Sequence, residues 1–104
     1  MILALALAAA LPADANEADL KCVAAIAIAL SDASDDKAKP LSYQLSYFLG
    51  KIAGRTPGYD LGANLHRASA AYAADVFKGE LGRCADEFRA KMMEVDRASK
   101  SLGG

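Results

Sequence analysis

The chain has 104 residues, which bounds it to one domain. It is 54% hydrophobic and 24% charged, the balance of a folded globular protein and not of a disordered one. Lys+Arg (12) nearly equal Asp+Glu (13), which argues against nucleic-acid binding through a basic surface and against a strongly charged membrane-surface helix.

Ile2 to Leu11 form an unbroken apolar run of leucine, isoleucine and alanine. Ten helical residues reach only about 15 Å, half of a hydrocarbon core, so the run does not make a stable transmembrane span. It matches the apolar core of an export signal. Pro12 is expected to break the helix, and Ala13-Asp14-Ala15 places small residues where a signal peptidase reads them. We therefore expect residues 1–15 to be a signal peptide cut before Asn16, and residues 16–104 to be the mature domain. No Lys or Arg precedes the run, so the α-amino group alone supplies the leading charge. A buried alanine-rich first helix of a cytosolic protein is the competing reading.

Two cysteines, Cys22 and Cys84, follow the leader. An even count in a short exported chain is read as a disulfide. Their separation of 62 positions excludes a C-x-x-C redox or zinc motif. Closing so long a loop restricts the unfolded chain by roughly 4 kcal/mol. Leader and disulfide together place the mature protein in the periplasm or the secreted fraction.

Asn16, Glu17 and Asp19 read as a helix start, with a capping side chain and acids in the first turn. Leu20 to Leu30 is apolar on nearly every face, which marks a central helix with Cys22 in its opening turns. Ser31 to Lys39 is a polar connector in which Ser34-Asp35-Asp36 offers an early cap, and Pro40 marks the first turn or an internal bend. Leu41, Leu45, Phe48, Leu49 and Ile52 then form a helical stripe, with Gly54 as the expected cap. Arg55-Thr56-Pro57-Gly58-Tyr59-Asp60 is the clearest turn, and Asp60 caps a third helix with the stripe Leu61, Leu65, Ala68, Tyr72 and Val76. Gly79 and Gly82 weaken helicity between residues 75 and 82. A last helix carries Leu81, Cys84, Phe88, Met92 and Val95, and Ser101 to Gly104 should fray. No segment alternates as a strand does. The expected fold is all-α: a compact bundle of about four helices of 11 to 20 residues, with one disulfide, preceded by the signal peptide.

Catalytic and metal-binding constellations are not apparent. His66, the single histidine, falls on the rim of the third helix. One histidine without free thiols builds neither an ordinary zinc site nor a Cys-His pair, so no metal and no cofactor is expected. Asp35-Asp36 and Asp86-Glu87 diverge on a helix and read as solvated faces. Gly50 to Thr56 lacks the order of a phosphate loop. Tyr43, Tyr47, Tyr59 and Tyr72 are the candidate binding residues, because tyrosine offers apolar area with a polar tip. With Phe48 they would line an apolar groove around the Pro-Gly turn.

The leader, Cys22, Tyr47-Phe48-Leu49-Gly50, Arg55-Thr56-Pro57-Gly58-Tyr59-Asp60 and Arg83-Cys84 together resemble small secreted proteins of alphaproteobacteria. That resemblance covers most of the mature chain and implies no activity. The layout is also similar to periplasmic acid-stress chaperones of the HdeA type, although this chain has no tryptophan and spaces its cysteines more widely. The function expected is therefore non-enzymatic: a periplasmic binding or chaperone-like protein whose partner is a protein or an apolar ligand. The alternative is a small enzyme, or enzyme subunit, using the turn region 55–60.

Overall fold

A computed structural model describes the backbone of residues 2–103 and the side chains of residues 15–103. Four helices follow in order: α1 (Ile2–Ser31), α2 (Asp35–Arg55), α3 (Leu61–Ala71) and α4 (Ala74–Gly103). The all-α bundle expected from the sequence is the fold observed, and no strand occurs among the described residues. The expected leader concerns residues 1–15, whose side chains, Ala15 apart, lie outside the described residues.

α1 is the axis of the assembly and touches each of the other three helices. One of its faces sets Cys22, Val23 and Ile26 against Phe48 and Ile52 of α2 and Cys84 of α4. Another sets Leu20 and Ala25 against Ala68 of α3 and Phe77 of α4. A helix covered on two sides needs apolar residues all round, which accounts for the missing polar stripe between Leu20 and Leu30. Phe48, Leu20 and Ile26 are the largest fully buried side chains, and each such burial contributes about 1.5–3 kcal/mol.

The cysteines form the expected disulfide, with Cα atoms 5.6 Å apart and both residues fully buried. It joins α1 to α4 from inside the core. Cys22 is not in the opening turns of its helix, because α1 runs without a break from Ile2 through Pro12 to Ser31. Proline's fixed φ suits a helix, so its cost is a lost hydrogen bond and crowding, and it need not end the element. Asn16 is accordingly no cap. Its amide donates to Thr56 Oγ1 (2.8 Å) and accepts from Arg55 (2.6 Å), so tertiary partners have taken the group that capping would use.

Other boundaries also depart from expectation. Ser34 does precede α2 in extended conformation, but its hydroxyl bonds Asp36 (2.7 Å) and no backbone amide. Pro40 lies within α2. That helix passes Gly54 and ends at Arg55, with the Thr56 amide returning to Ile52 O at 2.8 Å. The Tyr59 amide then closes the turn onto Thr56 O (3.1 Å), with Gly58 at φ +79°, a type II pattern that glycine satisfies at least cost. Asp60 caps α3 as expected, accepting from the Ala63 amide at 3.0 Å.

The third helix ends earlier than its stripe suggests. Tyr72 is extended (φ −120°, ψ 140°) and Val76 belongs to α4. Gly79 and Gly82 stay helical, since burying Phe77 and Cys84 on either side outweighs about 1 kcal/mol per glycine. The backbone also remains helical through Ser101, Leu102 and Gly103, where fraying was expected. α1 and α4 are therefore 30 residues each, well beyond the expected range, and α4 reaches about 45 Å.

Candidate functional site

The α2–α3 connection builds a concave apolar feature. Leu49, Ile52 and Ala53 of α2, Gly58 and Tyr59 of the turn, and Leu61 at the start of α3 line an open groove of about 230 Å³. Its position follows from local sequence. The Pro-Gly turn reverses the chain, Asp60 starts α3 immediately, and the last two turns of α2 are left facing the entry of α3. Drug-sized ligands occupy about 300–1,000 Å³, so the groove suits a single large apolar side chain.

The four candidate tyrosines take different positions. Tyr43 is exposed on α2. Tyr47, also on α2, turns its hydroxyl to Glu87 (3.0 Å) and its ring edge-on to Phe88 at 5.6 Å. Tyr59 lines the groove. Tyr72 donates to Glu17 (2.8 Å), packs edge-on to Phe77 and carries Lys21 over its ring at 4.6 Å. Tyr59 and Tyr72 thus share the surroundings of the Glu17–Arg67 pair, whereas Tyr43 and Tyr47 lie along α2. His66 is exposed on α3.

Beside the groove, α1, α2 and α4 meet at a polar junction that sequence reasoning missed. The buried Asp19 carboxylate accepts Lys51 on one oxygen and Arg55 on the other, each at 3.0 Å. Lys51 continues to Glu87 at 2.5 Å, and Glu87 also accepts Tyr47. Of the two acids taken for a solvated pair, Asp86 is exposed, but Glu87 is half-buried and bonded across the bundle. An aspartate directly before the apolar Leu20–Leu30 stretch, with two cations four apart on the next helix, was the available signal. A buried charge requires such partners.

The electrostatics follow these contacts. Burial pushes the Glu87 carboxyl up, but hydrogen bonds from Lys51 and Tyr47 outweigh it, so the group titrates below the usual glutamate range. The hydrogen bond from Arg67 likewise lowers Glu17, against some desolvation and with help from Tyr72. Burial, then the bond to Glu87, raises Tyr47. Desolvation opposes the Lys51 ammonium, yet its two carboxylate partners hold its titration above the ordinary lysine value.

Arg55 and Asp60 both serve the frame, one bonded to Asn16 and Asp19 and the other capping α3. Among the described residues no group of three or more His, Cys, Asp and Glu side chains is placed to hold a metal ion. No helix there is long and apolar enough to cross a membrane.

Fold and groove define a class: a small all-α protein clipped by one disulfide, with an apolar cleft at its α2–α3 turn. No family model, curated protein or solved structure matches the chain.

Proposed function

We propose that this is a non-enzymatic, exported binding protein that takes an apolar side chain of another protein in the groove beside Gly58 and Tyr59. The supporting observation is the groove, apolar in lining, open to solvent and sized for one side chain. Tyr59 contributes ring area there with a polar tip, the residue type enriched at recognition surfaces. The disulfide between Cys22 and Cys84 suits an oxidising compartment, and the periplasm is one such compartment.

A chaperone-like form of this activity draws on the carboxylates. Glu17 ties α1 to α3 through Arg67, and Glu87 ties α4 to α2 through Lys51. Protonating both removes cross-helix links and leaves a positively charged chain, which favours exposure of apolar surface in acid. The enzyme alternative has less to draw on, because Arg55 and Asp60, the charged residues of its turn region, are engaged in holding the frame.

The test is Ala53→Trp, which fills the groove from an exposed position without altering the core. Purified protein and variant are compared in a pull-down from periplasmic extract at pH 7 and pH 3, and in suppression of client aggregation. Capture and suppression by the original chain, reduced in a variant of unchanged melting temperature, support the reading. Equal behaviour of the two chains would place binding elsewhere, and a chain that captures nothing at either pH refutes it.

A further inference from the structure

Four of the six large apolar residues most exposed in the described chain lie in the C-terminal half of α4: Met92 (41%), Met93 (54%), Val95 (53%) and Leu102 (89%). Met92, Val95 and Leu102 continue the stripe that begins in the core, with Met93 beside it. Leu81 and Cys84 pack within the bundle, Phe88 is half-buried against Tyr47, and beyond it the stripe faces solvent. Its members Phe88, Met92, Val95, Ser99 and Leu102 are spaced 4-3-4-3, the repeat of a coiled-coil seam. A solitary helix of this length is marginal in water, so the tail gains most from a partner helix.

We propose that the tail of α4 pairs antiparallel with the same segment of a second copy of this chain. The flanking charges select that occupant. With the two-fold axis between positions 93 and 94, Met92 packs against the partner's Val95, Phe88 against the partner's Ser99, and Ala85 against the partner's Leu102. One flank then brings Arg89 beside the partner's Asp96 and, by symmetry, Asp96 beside the partner's Arg89. The other flank brings Lys91 beside the partner's Ala98, so no like charges oppose. Arg89, Asp96 and Lys91 now make only local pairs with Asp86, Lys100 and Glu94. The Arg89 and Asp96 pairs are well exposed, contribute little and are readily exchanged.

Parallel pairing is disfavoured by shape. It would crowd two bundles at the same end of the seam, and it would turn Arg89 toward the partner's Cys84, which is committed to the core. The antiparallel seam from Ala85 to Leu102 is about 25 Å long. That places the interface at the small end of specific contacts, with dissociation in the micromolar range or weaker.

The test is sedimentation equilibrium of the purified chain across a concentration series, with circular dichroism confirming the fold of each variant. A monomer–dimer equilibrium is expected, abolished by Val95→Glu, whose site is half exposed and outside the core. Arg89→Asp and Asp96→Arg should each raise the dissociation constant about tenfold, and the double exchange should restore it. A monomer at every concentration overturns the proposal. So does association that ignores the Arg89 and Asp96 reversals, which would point to another surface.

Discussion

The Lys51 ammonium lies 3.0 Å from the carboxylate of Asp19, a side chain only 4% exposed on the central helix of the bundle. Arg55 holds the other oxygen of the same carboxylate, so either cation can compensate the charge when its neighbour is removed. Lys51→Met or Arg55→Met alone should cost about 1–3 kcal/mol. The double substitution strands a buried charge and should cost about 3–5 kcal/mol. Urea unfolding of the three variants measures both. A double variant no less stable than either single one would mean that Asp19 is solvated.

The disulfide makes a second demand. Both cysteines are fully buried, so the native oxidised protein should show no thiol to a water-soluble reagent. Replacing both by serine releases the closure of the long loop and should lower stability by roughly 4 kcal/mol. Thermal melts of the oxidised protein and the double variant check this.

Acid should weaken the bundle in a defined window. Glu17 and Glu87 titrate lower in the folded chain than a free glutamate. Groups of that sign contribute stability above their unfolded value of about 4.3 and lose it as pH falls through the folded value. The urea midpoint should therefore decline steadily below about pH 4.3. In Glu17→Gln/Glu87→Gln the part of the decline due to these two groups should vanish. A variant as acid-sensitive as the original chain would remove these groups from the explanation.

Gly58 sits at φ +79° at the third position of the turn that shapes the groove. No atom crowds a Cβ there, so the cost of a side chain is conformational. Gly58→Ala should destabilise by about 1–2 kcal/mol. Gly54→Ala, on open helical backbone, should be neutral or stabilising. Chemical unfolding of the pair separates the two effects.

Processing tests the export reading. Expressed with its own first residues in a Gram-negative host, the protein should be recovered from the periplasm with Asn16 at its N-terminus. N-terminal sequencing of the periplasmic and cytosolic fractions decides it, and intact Met1 in the cytosol would overturn it.

The helical class, the disulfide, the Pro-Gly turn and the Asp60 cap were legible in the sequence because each depends on near neighbours or on composition. An apolar period of 3.6, a glycine free to adopt positive φ and a short polar side chain ahead of a helix act within a few residues. Cysteine pairing needs only an even count of two. Helix ends proved less legible. Asn16 has the chemistry of a cap, but Thr56 and Arg55 took its side chain. Gly79 and Gly82 have the chemistry of a break, but the buried Phe77 and Cys84 held their helix together.

Read in order, the residues specify amphipathic helices around one helix that is apolar on nearly every face from Leu20 to Leu30 and stapled to the last. Tertiary structure alone decided which polar groups became partners. Asp19, Lys51, Arg55 and Glu87 look like ordinary surface charges when read in order. Only packing α1 against α2 and α4 withdraws a carboxylate from water and makes its desolvation depend on cations more than thirty positions away. The groove has the same origin, because a cleft between two helices exists only once their separation and angle are set.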